Sequence, residues 1–443
     1  MKADRYWNPL LETLPREKLE RLQLKKFKEI FRWAYDHSKF YHKLYADAGI
    51  EPGDIKTMAD IAKVPKLEKS MMRSIQGKEP YPFGDILCVP LEEVTEYHQT
   101  SGTTGQPVYQ ADSWADWEAG AEHWAYIMYA QGYRPRDRLF LPFGYNVFIA
   151  FWAAHYAAEK LGCEVVPGGV LNTEARILKM QELRCTALMA TPSYVLGMAD
   201  TAITKLGINP AKDLQIRRIT VAGEPGGSIP ATRRRMEDAW GARVFDQCGA
   251  TEIGHWGFEC EYQSGMHVND LFYLVQIEDM ETGEIITEPG KRGKLVITNL
   301  SRRAQPCVRF DAKDIIEWNP EPCQCGRTFH QLKGGIQGRT DDITKVKGVL
   351  LAPTAIEEVV RSIPGLGHEY EVVVAKTGDI DDITLKVEVI TGQEADKEVI
   401  RQRLIDQLRL KTNLNYNLEF HDYGTLPRYD TKAKRFKDLR HKE

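Results

Sequence analysis

Two glycines and four hydroxyl residues fall within the six positions of Thr100–Gly105, inside the stretch YHQTSGTTGQPV. The hydroxyl residues are Thr100, Ser101, Thr103 and Thr104. Glycine costs backbone entropy in a regular element, and Ser and Thr compete for backbone hydrogen bonds. The stretch therefore predicts a loop whose hydroxyl and amide groups can surround an anionic oxygen cluster such as a triphosphate. A Gly/Thr-rich surface turn is the alternative; the Walker A pattern does not fit.

Two more polar turns follow predicted strands. AGEPGG at 222–227 follows the strand Arg218–Ala222, and ligands of open α/β sheets bind beyond the carboxyl ends of strands. QCGATEIGHWGFEC at 247–260 follows the strand Arg243–Asp246 and contains Thr251 and Glu252. The pair suits a phosphate-contacting hydroxyl beside a carboxylate that holds Mg²⁺. The alternative for Thr251 is the N-cap of a helix.

The cysteine spacing suggests a metal site. Cys260-x6-His267 and Cys323-x-Cys325 supply three thiolates and one imidazole, a set suited to tetrahedral structural Zn²⁺. Such an ion would pin a β-rich subdomain at about 258–335 and take no part in the reaction. Four unrelated buried residues are the alternative, and Cys307 is a fallback ligand.

The segment Gly144–Ala158 is rich in aromatic residues, namely Tyr145, Phe148, Phe151, Trp152 and Tyr156. We expect a helix from Val147. Aromatic residues at helical spacing commonly form core, but their density here favours a pocket for a planar aromatic acid over one for a long fatty acid. His155 and His255 are polar candidates near this wall, each with a structural role as the alternative.

The elements that must position these residues belong to a chain of 443 residues, for which two or three domains are expected. A net charge of −4 gives no electrostatic case for nucleic acid or a membrane as a partner. No apolar run reaches the roughly 20 residues of a membrane helix, and the N-terminus lacks an apolar signal core. Eight cysteines in such a chain are expected to be reduced thiols or metal ligands in the cytoplasm.

Helix-length and strand-length segments alternate through the first half of the chain, which predicts an α/β fold with a largely parallel sheet covered by helices. The predicted helices are two within Pro15–Ala48, then Asp116–Ala130, Thr173–Leu183 and one from Pro192; the strands are Arg138–Pro142, Cys163–Pro167, Thr186–Ala190 and Arg218–Ala222.

A smaller β-rich part follows, with strands at Phe272–Glu278, Gly293–Asn299 and Val308–Phe310. GRTDD at 338–342 marks a boundary, and after it comes a small α+β domain. Its predicted strands are Ile343–Val346, Tyr370–Lys376 and Asp382–Val389, and its helices are Pro353–Ser362 and Ala395–Leu410.

In order along the chain, these motifs resemble the adenylate-forming enzymes and, more narrowly, the phenylacetate–coenzyme A ligase family. The resemblance covers nearly the whole chain. It is carried by TSGTTGQP (100–107), AGEPGG, GATE (249–252), RFDAKD (309–314), GRTDD, and LPR-x-x-x-K (426–432). It implies an aryl-acid–coenzyme A ligase, in which a carboxylate attacks the α-phosphate of ATP and coenzyme A then displaces AMP from the acyl-adenylate.

The resemblance also implies roles for individual residues. Thr251 would touch the α-phosphate, and Glu252 would carry Mg²⁺. ATP would be bound by the loop residues Ser101, Thr103, Thr104 and Gly105, by Glu224, Pro225 and Gly226 around the adenine, and by Asp246, Cys248, Gly249, Asp314 and Arg339. Asp314 would accept hydrogen bonds from the ribose hydroxyls, and Arg339 would lie near the ribose or a phosphate. The acid pocket would comprise Tyr145, Phe148, Ala222, Gly223 and Gly249.

The resemblance divides the chain into an adenylating domain, 1–340, and a mobile C-terminal domain, 341–443, that pivots at Asp341. Lys432 would reach the α-phosphate during adenylation, with Lys434 as the alternative lysine. Rotation would then bring Lys345, Lys347 and Gly348 toward the thiol of coenzyme A.

One position departs from the family. Gln106 stands where the family has lysine, so a charge that helps to hold pyrophosphate is missing from the loop. This departure leaves open a weakly active or regulatory nucleotide-binding relative. The resemblance also leaves open an adenylyltransferase for another acceptor, such as a deazaflavin. A homodimer is a further possibility.

Overall fold

The computed structural model describes residues 5–100, 106–347, 349–377, 380–390, 392, 397–429 and 433–440. The chain divides into two units. One comprises Met1–Val170 and Phe245–Ile336, and the other Leu171–Val244 and Gln337–Glu443. Within the described residues, no helix has the length and apolar character needed to cross a membrane.

The described residues form twelve α-helices and twenty-one β-strands. The helices are α1 (Pro9–Glu12), α2 (Arg16–His37), α3 (Lys39–Asp47), α4 (Lys69–Ile75), α5 (Trp114–Ala130), α6 (Trp152–Lys160), α7 (Thr173–Glu182), α8 (Pro192–Leu206), α9 (Pro210–Asp213), α10 (Pro230–Trp240), α11 (Pro353–Ser362) and α12 (Lys397–Thr412). The strands are β1 (Val94–Gln99), β2 (Tyr109–Ser113), β3 (Arg138–Leu141), β4 (Glu164–Pro167), β5 (Ala187–Ala190), β6 (Arg218–Val221), β7 (Arg243–Ala250), β8 (Gly254–Glu259), β9 (Met266–Val268), β10 (Tyr273–Glu278), β11 (Ile285–Ile286), β12 (Arg292–Asn299), β13 (Phe310–Glu317), β14 (Gln331–Leu332), β15 (Gly338–Arg339), β16 (Thr344–Val346), β17 (Val349–Leu351), β18 (Leu366–Thr377), β19 (Ile380–Val389), β20 (Asn417–Asp422) and β21 (Phe436–Asp438).

The first unit combines parallel and antiparallel pairing. Strands β3 and β4 are parallel, as the βαβ spacing predicts. Strands β7, β8, β9 and β14 pair antiparallel in that order, and β11, β10, β12 and β13 form a second antiparallel sheet. Its main core packs the aromatic face of α2 and α3, with Phe27, Phe31, Tyr41 and Tyr45, against residues of these strands. The predicted mixed α/β class is therefore confirmed.

Two predicted boundaries in the first unit are wrong for local reasons. The helix expected from Val147 begins at Trp152, because Asn146 accepts a hydrogen bond from the Phe148 N–H at 2.8 Å and holds a turn there. The strand expected at Val308–Phe310 instead runs from Phe310 to Glu317, because Arg309 has a φ of 46° and cannot be extended.

The second unit pairs β5 and β6 in parallel and packs the C-terminal elements around a core of their own. There β20, β19, β18 and β21 form a mixed sheet, covered by α11 and α12. All five elements predicted after residue 343 are present in the predicted order, but a second strand that was not predicted, β17, lies between β16 and α11. The domain boundary at 340/341 stays a prediction.

Candidate active site

Thr251 and Glu252 lie in the tight turn that joins β7 to β8, so the N-cap interpretation of Thr251 is wrong. Buried Arg302 fixes this turn, because its Nη1 donates to the carbonyl oxygens of Thr251 and Glu252 at 3.2 and 3.1 Å. Its Nε forms an ion pair with Asp112 Oδ1 at 2.7 Å. A buried charge that is both paired and hydrogen-bonded holds its neighbours rigidly. The backbone of the turn is therefore preset.

The Glu252 side chain is only 4% exposed, and its Oε1 lies 2.6 Å from Lys69 Nζ at the start of α4. One helical turn later, Arg73 Nε donates to the backbone oxygen of Gln106 at 3.0 Å. Sequence reasoning missed both cations. Within the sequence, only the i, i+4 spacing of Lys69 and Arg73 suggests that they share one face of the helix. That spacing does not identify the groups that the two side chains contact.

Asp246, Cys248 and Asp314 lie close together in the first unit. The Asp246 N–H donates to Glu259 at 2.8 Å, and Asp314 lies within β13. Burial, followed by the negative charges of Asp246 and Asp314, raises the pKa of the Cys248 thiol well above its usual value. The structure therefore brings together three of the residues predicted to bind ATP.

Gly249 and Gly226 stand where neighbouring atoms leave no room for a side chain. A Cβ on Gly249 would lie 2.6 Å from the Gly254 oxygen across the hairpin. A Cβ on Gly226, whose φ is 151°, would lie 2.6 Å from the Pro192 side chain at the start of α8. Other residues would force these chains apart.

The predicted triphosphate loop falls only partly within the described residues. Ser101, Thr103, Thr104 and Gly105 lie outside them, as do Gly348 and Lys432. The two ends of the loop are tied together, since the Thr100 N–H donates to the Val108 oxygen and the Val108 N–H donates to Thr100 Oγ1, both at 3.0 Å.

In the second unit, Glu224 of AGEPGG accepts two backbone hydrogen bonds. Its Oε1 accepts from the Ser193 N–H at 2.7 Å, and its Oε2 accepts from the Ala433 N–H at 2.9 Å. Ala433 directly follows Lys432 in the sequence, so this carboxylate anchors the residue next to the predicted lysine. Lys434 is exposed, as are Gly223 and Pro225 of the turn, whereas Ala222 is half-buried.

Asp341, the predicted pivot, forms an ion pair with Arg339, which was predicted to contact ATP. Lys345 and Lys347 lie on the exposed hairpin of β16 and β17. Lys347 has a φ of 48° at the turn, and its N–H donates to Asp381 Oδ2 at 3.1 Å.

The aromatic wall is formed by the loop before α6 and by α6 itself. Tyr145 Oη lies 2.6 Å from His155 Nδ1, and its ring contacts Trp152 edge-on at 4.8 Å. Phe148 is 41% exposed. Ala222 and Gly223 belong to the other unit, so their place in this pocket stays a prediction.

A small cavity of about 20 Å³, enough for a water-sized group, is lined by Ile149, Ala153, Gly254 and several polar side chains. Among these, His255 is 6% exposed, and burial lowers the pKa of its imidazole to about 3. A neutral, buried imidazole therefore faces the cavity.

Cys260, His267, Cys323 and Cys325 are all buried, and their ligand atoms all lie within 4.8 Å of one another. The fallback ligand Cys307 instead lies in the hydrophobic core. The sulfurs accept hydrogen bonds from the Ser264 hydroxyl at 3.2 Å and from the Tyr262 and Arg327 N–H groups at 3.4 Å. Donation from the Cys260 thiol, and then from Cys325, lowers the pKa of Cys323. This donor set fits tetrahedral Zn²⁺.

The chain resembles known ligases along nearly its whole length. A phenylacetate–coenzyme A ligase of Thermus thermophilus is 34% identical over 405 residues, covering 90% of this chain and 88% of the relative. That of Pseudomonas putida is 33% identical, covering 97% and 96%. Residues 348–440 match the AMP-binding enzyme C-terminal domain. A solved 2-hydroxyisobutyryl-CoA ligase in complex with 2-HIB-AMP has a TM-score of 0.92 at 28% identity, covering 98% of this chain and 92% of its own.

Proposed function

The chain belongs to the phenylacetate–coenzyme A ligase family, and on that premise we propose that it joins an aromatic carboxylic acid to coenzyme A using ATP. The carboxylate displaces pyrophosphate from the α-phosphate, giving an acyl-adenylate. The coenzyme A thiol then displaces AMP and leaves a thioester. The observation that carries the proposal is the preset β7–β8 turn, which holds Thr251 beside a buried Glu252 carboxylate.

In the first step two anions must meet, so positioning and charge neutralisation dominate. Arg302 keeps the Thr251 hydroxyl in place for the α-phosphate by holding both carbonyl groups of the turn. Glu252 would hold Mg²⁺, which when bound would neutralise phosphate oxygens. Asp314 would accept hydrogen bonds from the ribose, and Glu224 would flank the adenine.

The aromatic acid is supported by the wall of Tyr145, Trp152 and Phe148, whose partly exposed rings can stack on a planar substrate. The water-sized cavity beside Ile149 and Ala153 has the buried ring of His255 in its lining. A ring substituent that can hydrogen-bond, such as hydroxyl or amino, would gain a partner there. Hydroxy- and aminobenzoates or phenylacetates therefore rank above the unsubstituted acids.

We also propose that Cys260, His267, Cys323 and Cys325 hold one structural Zn²⁺. The four donors would complete a tetrahedral coordination sphere and leave no open position for substrate, and the hydrogen bonds to sulfur would steady the thiolates. The ion would tie β8 and β9 to the segment around Cys323.

A pyrophosphate-release screen tests the function. Wild-type protein with ATP and Mg²⁺ is offered phenylacetate, benzoate, hydroxy- and aminobenzoates, indole acetate and 2-hydroxyisobutyrate, with and without coenzyme A. We expect pyrophosphate with an aromatic acid and thioester only when coenzyme A is present. Best turnover of 2-hydroxyisobutyrate would overturn the aromatic assignment. Transfer of AMP to a deazaflavin-type acceptor would favour the adenylyltransferase, and ATP binding without acid-dependent pyrophosphate would favour a non-catalytic relative.

A further inference from the structure

Helix α4 presents two cations to the proposed nucleotide site. Lys69 Nζ lies 2.6 Å from Glu252 Oε1, and Arg73 Nε donates to the Gln106 oxygen at 3.0 Å. Four residues of helix rise by about 6 Å, so the two side chains leave neighbouring turns of α4 on the same face. Neither residue belongs to any motif that carried the family resemblance.

The two partners of the ion pair differ in exposure. The side chain of Glu252 is 4% exposed, whereas that of Lys69 is 38% exposed. A buried carboxylate needs a counter-ion, but a flexible ammonium that is partly in water can exchange one anionic partner for another at little cost. Lys69 is thus an exchangeable counter-ion for a fixed carboxylate.

Arg73 lies next to Gln106 at the end of the predicted triphosphate loop. Gln106 is exposed, and no residue from Thr100 to Gln106 is a lysine or an arginine, so the loop supplies no cation of its own for the leaving pyrophosphate. The guanidinium of Arg73 is fixed to the backbone of that same residue. A cation from α4 is therefore placed where the loop lacks one.

We propose that Lys69 and Arg73 bind the β- and γ-phosphate oxygens of ATP, and the pyrophosphate derived from them, and so supply the positive charge that Thr100–Gln106 lacks. The inference rests on the proposed function. Lys69 neutralises Glu252 before nucleotide binding and turns to the phosphates when Glu252 takes a divalent cation. The same exchange makes Lys69 a competitor of Mg²⁺ for Glu252.

A purely structural ion pair predicts a different outcome. If Lys69 only stabilised the fold, its replacement would lower the melting temperature and leave ligand affinities unchanged. An exchangeable phosphate ligand predicts two opposite shifts, namely weaker pyrophosphate binding and tighter Mg²⁺ binding. The second shift arises because Glu252 loses its competing cation.

The test uses calorimetric titration of the full chain with inorganic pyrophosphate, and separately with Mg²⁺, for wild type, Lys69→Met, Lys69→Arg and Arg73→Met. We expect Lys69→Met and Arg73→Met to weaken pyrophosphate binding at least tenfold, and Lys69→Met to tighten Mg²⁺ binding several-fold. Lys69→Arg keeps the charge and should stay within about threefold. Lys78→Met, which removes an exposed lysine just beyond α4, is the matched control and should not change either affinity.

Gln106→Lys in the Lys69→Met background completes the test, because it returns a cation to the loop. We expect it to restore most of the lost pyrophosphate affinity. Pyrophosphate binding within twofold of wild type in Lys69→Met and Arg73→Met, or no restoration by Gln106→Lys, would overturn the inference. If the wild type forms thioester and the variants bind pyrophosphate as the wild type does, only the inference is wrong. If the wild type binds pyrophosphate through Lys69 but forms no thioester, only the proposed function is wrong.

Discussion

Arg339 donates from Nε and Nη2 to the two carboxylate oxygens of Asp341, at 2.9 Å each. The two side chains are 36% and 53% exposed. An exposed ion pair contributes about 0–1 kcal/mol even with good geometry. The contact therefore orders the predicted pivot without locking it.

Replacing Asp341 with proline tests the pivot. Proline fixes φ near −65° and restricts the preceding residue, so it should hinder the backbone rotation that the second half-reaction needs at this position. We expect acid-dependent pyrophosphate release to stay within about threefold of wild type, while thioester formation falls at least tenfold. Single-turnover measurements of the two half-reactions separate these effects.

Asp342→Asn is the neighbouring control, since Asp342 is also exposed and its change leaves the backbone free. It should leave both half-reactions near wild type. Equal losses of both steps in the Asp341→Pro variant would argue against a pivot at this residue.

The buried imidazole of His98 should make the free energy of unfolding depend on pH. It is 2% exposed and stacks on Trp117, and burial lowers the pKa of its imidazole to about 4. Between pH 6.5 and 4 the unfolded chain binds a proton here that the folded chain does not. Stability contributed by neutral His98 is therefore complete above pH 6.5 and is lost as the pH falls, by up to ~1.4 kcal/mol per pH unit.

Replacing His98 with phenylalanine keeps the stacking and removes the titration. Urea unfolding at pH 7.0 and pH 5.0 should show a loss of stability on acidification that is smaller than in wild type by about 2 kcal/mol. An unchanged pH dependence for His98→Phe would show that His98 does not titrate as inferred.

The zinc content of the purified protein tests whether the Cys/His cluster binds a metal ion. Elemental analysis of protein purified without chelator should give about one zinc per chain, and Cys323→Ser should lose most of it together with several kcal/mol of stability. Cys88→Ala, which removes a buried thiol outside the cluster, should keep the full zinc content. Wild-type protein without zinc would end the proposal.

The regular elements could be predicted because their signals are local. The periodic burial of α2, with Leu19, Phe27, Ile30 and Ala34, follows directly from the spacing of apolar residues. Strand β13 was misplaced because Arg309 adopts a positive φ, held by hydrogen bonds from its guanidinium to Ala62 and Gln276. Such contacts between distant residues leave no periodic trace in the sequence.

In the candidate site, too, residues within one short motif could be predicted, whereas contacts between distant residues could not. Thr251 and Glu252 were found because they stand in one short motif. Lys69 was missed because it lies 183 positions before Glu252 in the sequence, and only the fold places its ammonium 2.6 Å from that carboxylate. An ion pair between residues so far apart cannot be read from either neighbourhood alone.

The last prediction concerns the C-terminal lysines. Glu224 holds the Ala433 N–H, so the residue next to Lys432 is anchored, while Lys434 is exposed. We expect Lys432→Ala to slow acyl-adenylate formation at least a hundredfold, because a cation on the α-phosphate is lost, and to leave thioester formation from supplied acyl-adenylate within about threefold. Lys434→Ala is the matched control and should slow neither step by more than about twofold. If the two variants exchanged these behaviours, Lys434 would be the reactive lysine; if the double variant adenylated at the wild-type rate, neither lysine would take part in the chemistry.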